Sequence, residues 1–276
     1  DPDYKFPQVW RTNLGIDHKY DNGLIVTADL SYTKDFNGAQ VQNWGLTAPS
    51  GTLQGVDSRP IYTDADRINN AYVFTNSDKG RIWNASLKAQ KTFDNGLYAM
   101  IAYSYLDSKD VNSIEAEITG DAFDFNPIVG DANADVLSNS RYGDTHRIIG
   151  VLSKNWIYGA SDQWSTSLSS FFEVSQGGRF SYTYAGNINA DGSGQNNDLL
   201  YVPTSQEIQQ MTFPSVGDPG YFPGAAAGYD AYIAQDDYLS GRRGDYAERY
   251  GAVSPWTTRV DVKFLQDYKI KVSENK

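Results

Sequence analysis

Tyr20-Asp21-Asn22-Gly23-Leu24 recurs later in the chain as Phe93-Asp94-Asn95-Gly96-Leu97. Asn and Gly tolerate the positive φ of a short hairpin loop, so each stretch predicts a tight turn between two antiparallel strands. Alternating apolar and polar residues flank both turns, and a long connection follows the far end of each hairpin. Short turns at one end and long loops at the other are typical of a transmembrane β-barrel.

The residues before the first turn alternate between two faces. Trp10, Leu14, Ile16 and Tyr20 share one face, because side chains on a strand repeat every second residue. The opposite face of the same run carries Arg11, Asn13, Asp17 and Lys19. Similar alternation covers 24–33, 83–93, 99–105, 164–174 and 256–268, and a blurred version covers roughly 141–156. The pattern predicts about seven strands, and 270–276 resemble the beginning of an eighth.

A soluble β-sandwich also alternates, so a soluble all-β binding module is one alternative. Aromatic residues, however, stand at the ends of the apolar faces: Trp10, Tyr20, Tyr32, Trp83, Phe93, Trp156, Trp164, Trp256 and Tyr268. Aromatic girdles at two levels are expected where a barrel meets the two membrane interfaces. The runs are also near the length that a tilted strand needs to cross a bilayer. We therefore predict an all-β fold, an antiparallel transmembrane β-barrel portion with short periplasmic turns and long extracellular loops.

Composition excludes several classes of function. The chain has 276 residues, no Cys and a net charge of −11. Disulfides, thiolate chemistry and Cys-ligated metals are excluded. Between Asp107 and Ser140, eight carboxylates face a single lysine, Lys109. A nucleic-acid partner needs the opposite sign of charge, so no nucleic acid is expected. This acidic run predicts a solvated surface loop, with a surface for divalent cations or a cationic ligand as the alternative.

Three long connections lie opposite the tight turns, near 34–80, 108–140 and 176–253. Loops of this length are uncommon unless they are functional, and in barrels they face the outside of the cell. An odd strand count leaves an unpaired edge, whereas single-chain bacterial barrels have even counts. We therefore expect residues 1–276 to be a portion of a larger barrel, without its plug and final strands.

The last connection is crowded with aromatic residues: Tyr182, Tyr184, Tyr201, Tyr221, Phe222, Tyr229, Tyr232 and Tyr238. Such rings either pack a large loop into a compact cap or stack on a sugar, a peptide or another ligand. The sequence favours packing and leaves the stacking interpretation open.

One stretch of that connection, 187–198, follows the spacing of a calcium loop, with Gly192 at its sixth position. The predicted ligands are Asn187, Asn189, Asp191, Gln195 and Asp198. Two departures weaken the match, because Asn187 replaces the usual Asp and Asp198 replaces the usual Glu. Any bound Ca²⁺, the only cofactor that the sequence suggests, is therefore expected to bind weakly. The alternative is an Asx-rich turn without metal.

Nothing in the sequence predicts an enzyme. His18 and His146 lie on separate predicted strands, and no nucleophile motif, phosphate loop or paired-carboxylate signature accompanies them. Arg243-Gly244-Asp245 matches an integrin-binding tripeptide, but a match of three residues arises often by chance.

Two stretches are more specific: Asn197-Asp198-Leu199-Leu200-Tyr201-Val202-Pro203 and Pro255-Trp256-Thr257-Thr258-Arg259-Val260-Asp261. Three shorter ones accompany them: Gly241-Arg242-Arg243-Gly244, Glu248-Arg249-Tyr250-Gly251 and His146-Arg147-Ile148-Ile149. Together they resemble the C-terminal barrel region of Oar-like TonB-dependent receptors of the Bacteroidota outer membrane. The resemblance covers most of the chain.

This resemblance implies a plugged barrel of about 22 strands in the bacterial outer membrane. Such a receptor couples to TonB and imports a ligand with the proton-motive force. The implied partners are the lipid bilayer and lipopolysaccharide, the remainder of the same barrel and its plug, and TonB through an N-terminal region absent from these residues. The expected function is uptake of an unidentified ligand, with the extracellular loops forming part of the ligand gate. The alternative is an outer-membrane adhesin or structural barrel that binds a partner without transport.

Overall fold

A computed structural model describes residues 1–63, 71–114, 117–143, 145–193 and 196–270. Its strands are β1 (Val9–Lys19), β2 (Leu24–Asp35), β3 (Gly38–Asn43), β4 (Gly51–Thr52), β5 (Pro60–Ile61), β6 (Tyr72–Ser77), β7 (Arg81–Thr92), β8 (Leu97–Asp110), β9 (Ser138–Asn139), β10 (His146–Tyr158), β11 (Trp164–Ser175), β12 (Arg179–Phe180), β13 (Tyr201–Val202), β14 (Asp245–Tyr246), β15 (Ala252–Val253) and β16 (Thr257–Tyr268). Its helices are α1 (Thr119–Asp124), α2 (Ser205–Ile208), α3 (Ala225–Gln235) and α4 (Asp237–Ser240).

The long strands form one antiparallel sheet in the order β1-β2-β7-β8-β10-β11-β16, and the short β9 pairs with β8. Both predicted tight turns are confirmed. Gly23 and Gly96 have φ values of 83° and 81°. The Tyr20 N–H donates to the Leu24 carbonyl at 2.8 Å, and Phe93 makes the same bond to Leu97. The fold is therefore mostly antiparallel β-sheet, as the sequence predicted.

One strand boundary needs correction. The blurred strand begins at His146, not near 141, because the preceding residues belong to a connection. No sheet closes into a barrel within the described residues, where β1 and β16 stand at the two edges of an open sheet. The possible eighth strand at 271–276 lies outside the described residues. No helix among the described residues is long and apolar enough to cross a membrane.

One face of this sheet exposes apolar side chains across its whole width. Leu14, Leu87, Ile101, Leu152 and Val262 are between 53% and 68% exposed. Cross-strand neighbours in an antiparallel sheet point to the same side, so the pairing register makes these residues one continuous surface. We call it the outward face. Soluble monomers rarely expose contiguous apolar patches of more than a few hundred Å².

Aromatic rings lie at both ends of the outward face. Near the long connections, the rings of Tyr32 and Trp83 pack with centroids 4.4 Å apart. Near the tight turns, Trp164 and Tyr268 pack at the same separation. Both pairs are direct cross-strand partners, because the register of the sheet places equivalent ends side by side. The predicted two levels of aromatic residues are thus present on this face.

The three long connections carry short elements of their own rather than irregular chain alone. Small antiparallel pairs form between β3 and β6, β4 and β5, β12 and β15, and β13 and β14. A capping box starts α2: the Thr204 hydroxyl accepts from the Glu207 N–H, and the Glu207 carboxylate accepts from the Thr204 N–H. Two buried clusters support these elements: Val41, Ala122, Phe123, Ile128 and Ala132, and Val202, Ile208, Ile233 and Leu239. We call the described parts of 36–80, 111–145 and 176–256 the cap.

Candidate ligand-binding cap

The segment 187–199 joins the three connections of the cap. Its Asn189 carbonyl accepts from the Tyr62 N–H at 2.8 Å, which ties it to the first connection. Its Asn197 carbonyl accepts from the Ile128 N–H at 2.8 Å, and its Leu199 N–H donates to the Ile128 carbonyl at 3.0 Å. The second connection is thereby fixed to the third. The sequence predicted three separate loops, whereas the fold makes them one body.

Arg59 lies at the centre of that body, with a fully buried side chain. Its guanidinium forms ion pairs with Asp57 at 2.9 Å and with Asp198 at 2.8 Å, and it also donates to the Leu199 carbonyl. Burial alone would lower the pKa of Arg59, but the hydrogen bonds and charges of Asp57 and Asp198 leave that pKa raised. The guanidinium therefore stays charged and holds two connections together.

Two aromatic rings enclose the same guanidinium. The centroids of the Tyr184 and Tyr246 rings lie 5.1 Å and 5.3 Å from its central carbon. Both distances are within the range of a cation–π interaction. The Tyr246 hydroxyl also donates to Asp57 at 2.9 Å. Burial and this carboxylate raise the pKa of Tyr246 to about 12, so the phenol stays neutral and keeps its proton for that bond.

A recess of about 680 Å³ opens beside Tyr184. Its walls combine apolar and polar side chains from the first and third connections: Leu53, Gln54, Val56, Asp57, Tyr184, Ile188, Gln210, Met211 and Thr212. Pockets for small ligands have volumes of about 300–1,000 Å³ and a mainly apolar lining with a few polar groups. Because Asp57 and Tyr184 contact both the recess and Arg59, the buried ion pair fixes the shape of this opening. The recess is the candidate binding site of the cap.

The predicted calcium loop brings most of its proposed ligands together. The side chains of Asn189, Asp191 and Asp198 are buried, and that of Asn187 is half-buried. Gln195 lies outside the described residues. The side-chain oxygens of Asn187 and Asn189 both face the Asp191 N–H, at 3.3 Å and 3.1 Å. The described part of the loop thus contains the side-chain-to-backbone bonds of an Asx-rich turn.

Its carboxylates, however, already accept hydrogen bonds from the protein. Asp198 binds Arg59 through one oxygen and accepts from the Ile188 N–H at 2.9 Å through the other. Asp191 accepts from the Ser193 N–H at 2.9 Å and from the Asn197 side-chain amide at 3.1 Å. Asp198, the carboxylate at position 12 of the predicted calcium loop, is thus paired with a guanidinium. Calcium binding stays a prediction.

Some aromatic residues of the last connection pack the cap, and others are exposed enough to stack on a ligand. Tyr182 and Tyr238 stack at 6.1 Å and contact the second buried cluster, and Tyr201 is 8% exposed. These rings pack the cap. Phe222 and Tyr232, in contrast, are 66% and 47% exposed. This second group, together with Tyr221 at 40% exposure and Tyr184 on the wall of the recess, is available to stack on a ligand.

Two buried arginines organise the cap. Arg59 binds Asp198 across 139 residues of chain. Arg249, 3% exposed, donates to the carbonyls of Asp110 and Val111 and to the Asn126 side chain at 2.7 Å. Burial lowers the pKa of Arg249. Arg59 stands in a polar loop with no local pattern that distinguishes it from a surface residue, so sequence reasoning missed it. Arg249 was part of the stretch Glu248-Arg249-Tyr250-Gly251, but nothing in the sequence indicated its contacts with Asp110, Val111 and Asn126.

The other residues that the sequence analysis considered, Arg243 and His146, contact neighbouring side chains and backbone of the fold. Arg243 pairs with Asp230 at 2.7 Å and donates to the Pro203 carbonyl, so its contacts lie within the cap. His146 lies 2.8 Å from the Tyr103 hydroxyl on the outward face. Within the described residues, no three or more His, Cys, Asp and Glu side chains are grouped to hold a metal ion.

No protein-family model matches this chain, and no curated protein is similar to it.

Proposed function

We propose that the chain is part of the β-barrel of an outer-membrane TonB-dependent receptor, in which the cap contributes to the gate for an imported ligand. The observation that carries the proposal is the outward face, which is apolar across seven strands and bounded by aromatic rings at both ends. Water is a poor solvent for such a surface, whereas lipid tails solvate it.

The position of the cap agrees with this proposal. All three connections leave the same end of the sheet, while the tight turns lie at the other end. In outer-membrane barrels the long loops face outside, which would present the recess beside Tyr184 to molecules that reach the cell surface. The recess mixes apolar walls with Asp57, Gln54 and Gln210, so it suits a small amphipathic ligand.

A pair of matched substitutions tests the membrane assignment. Leu87 is 54% exposed on the outward face near the middle of β7, and Ser86 precedes it on the opposite face. An arginine on the lipid side near the bilayer midplane costs about 2–4 kcal/mol, whereas one on the lumen side costs little. Leu87→Arg should therefore unfold at lower denaturant than Ser86→Arg in lipid vesicles. Equal stability of the two variants would remove the membrane assignment, because a water-exposed leucine tolerates arginine.

Transport is tested separately from membrane insertion. If the complete gene product encodes a plug domain and a TonB-contacting segment, deletion of that segment should abolish ligand uptake while leaving surface binding intact. A barrel without a plug would instead be an adhesin or a structural protein. Loss of uptake with binding retained supports the receptor, and absence of a plug supports the adhesin or structural barrel.

A further inference from the structure

Three cations stand side by side on the outward face at its cap end. Lys34 on β2 is the direct partner of Arg81 on β7, and Arg81 is the direct partner of Lys109 on β8. Trp10 on β1 extends the same row as the partner of Lys34. Because direct partners point to the same side of an antiparallel sheet, the three cations project outward together. We call Lys34, Arg81 and Lys109 the cationic row.

Repulsion between the three positive charges of the cationic row lowers the stability of the sheet when no anion is bound. Like charges directly opposite each other on neighbouring strands destabilise the pairing. The Lys34 ammonium donates to the Asp78 carbonyl, but the side chains of Arg81 and Lys109 form no hydrogen bond or ion pair with any described residue. Asp107, two residues along β8, is the partner of Trp83 and also lies on this face. In a chain with a net charge of −11, three adjacent cations suggest an anionic partner from outside.

The position of the row identifies what kind of anion could reach it. Lys34 and Arg81 lie two residues, about 7 Å, beyond Tyr32 and Trp83 along their strands. An aromatic belt marks the membrane interface, so a cation just beyond it stands at headgroup level. All three side chains are half-buried. Their stems therefore lie along the strand ends while their charges reach the level of lipid phosphates.

The opposite end of the outward face lacks this feature. There Lys91 lies over the Phe93 ring, 4.9 Å from its centroid. Lys154 lies over the Trp156 ring at 5.9 Å and donates to the Asn95 carbonyl. Lys91 and Lys154 therefore both have interaction partners within the protein. Among the described cations of this face, those whose side chains have neither a hydrogen bond, an ion pair nor a ring contact are Arg81 and Lys109, and both lie at the end from which the cap emerges.

We infer that the cationic row binds the phosphate groups of lipopolysaccharide in the outer leaflet. The inference rests on the proposed function, because a lipid phosphate reaches this row only when the outward face lies in a membrane. Arg81, in the middle, can bind phosphate through two parallel N–H bonds. The flanking lysines act as point charges, and the bound anion relieves the repulsion within the row.

The test uses the full-length protein purified in a zwitterionic detergent, with the row converted to Lys34→Gln, Arg81→Gln and Lys109→Gln. Lys91→Gln is the matched control, since it removes one cation from the same face at the opposite end. Native mass spectrometry measures binding of bisphosphorylated lipid A, dephosphorylated lipid A, phosphatidylglycerol and inorganic phosphate. A cation near a membrane surface contributes roughly fivefold to binding an anionic lipid, so the triple variant should lose on the order of 100-fold.

Each outcome decides the inference. Loss of bisphosphorylated lipid A by the triple variant, retention by Lys91→Gln and weak binding of the dephosphorylated form support it. Equal binding by the triple variant overturns it, as does phosphatidylglycerol bound as tightly as lipid A or inorganic phosphate that competes at equal concentration. Heat-modifiable gel migration of every variant checks that the barrel is folded. A different result refutes the proposed function itself: the unmutated protein shows no heat-modifiable migration and stays soluble without detergent. Loss of the lipid A difference alone refutes only the inference about the cationic row.

Discussion

Replacing Arg59 with alanine should open the cap without unfolding the sheet. The guanidinium is fully buried and is shared by Asp57 and Asp198, whose side chains are 11% and 1% exposed. Its removal leaves the Asp198 carboxylate in the interior with one N–H donor among the described residues, that of Ile188. Removing one partner of a buried ion pair costs about 3–5 kcal/mol, because the remaining charge is no longer compensated.

Hydrogen exchange of the amides in 187–199 measures this loss. A destabilisation of about 3 kcal/mol should accelerate their exchange on the order of 100-fold, while the amides of β7 and β8 keep their protection. Lys79→Ala is the matched control. The Lys79–Asp135 pair also joins two connections of the cap, but its side chains are 46% and 37% exposed. Such a pair is worth only about 0–1 kcal/mol.

Arg59→Lys separates charge from geometry. An ammonium keeps the positive charge but cannot bind two carboxylates and a carbonyl through a planar fork, so we expect protection between that of the unmutated protein and Arg59→Ala. The reasoning is refuted if exchange in 187–199 is no faster in Arg59→Ala than in Lys79→Ala. The buried pair would then contribute no more than a surface pair.

Three further predictions concern the sheet and the loop 187–198. A Cβ at Gly150 would overlap the Phe172 ring, so Gly150→Ala should lower stability to denaturant by about 1–3 kcal/mol, and Phe172→Ala in the same chain should reverse part of that loss. If the loop binds calcium, about 1 mM of the ion should raise the melting temperature, and Asp191→Ala and Asp198→Ala should each abolish the rise. An unchanged melting curve of the unmutated protein would end the calcium hypothesis. Burial raises the pKa of Asp191 above its ordinary 3.8, so its contribution to stability is present below pH 3.8 and is lost as the pH rises through the folded-state pKa. In chelator at pH 7, Asp191→Asn should therefore melt above the unmutated protein, and the difference should disappear below pH 3.8.

The hairpins illustrate what local pattern can predict. Asn22-Gly23 and Asn95-Gly96 restrict the backbone within a few residues, and the alternation beside them assigns each side chain to a face. The positions of the two tight turns and the apolar face of each long strand could therefore be predicted without a structure. The start of β10 could not, because Ile148 and Ile149 are adjacent and blur the two-residue period.

The candidate site was harder to predict from the sequence than the sheet. The Asx residues of 187–193 do bond to backbone a few residues away, as in the Asx-rich turn that was the alternative to a calcium loop. The calcium spacing gave no indication that Asp198 binds Arg59, because no periodicity connects residues that are 139 positions apart. The cationic row was likewise hidden, since Lys34, Arg81 and Lys109 become neighbours only through strand pairing.

The sequence by itself determined the β-strands, the tight turns and the division into an apolar and a polar face. These properties depend on φ preferences and on the two-residue repeat of a strand, both of which act over a few residues. The tertiary structure alone decided that three connections form one cap, that Arg59 lies at its centre and that a recess opens beside Tyr184. Those features depend on burial of charge and on contacts between distant segments, which only the folded chain brings together.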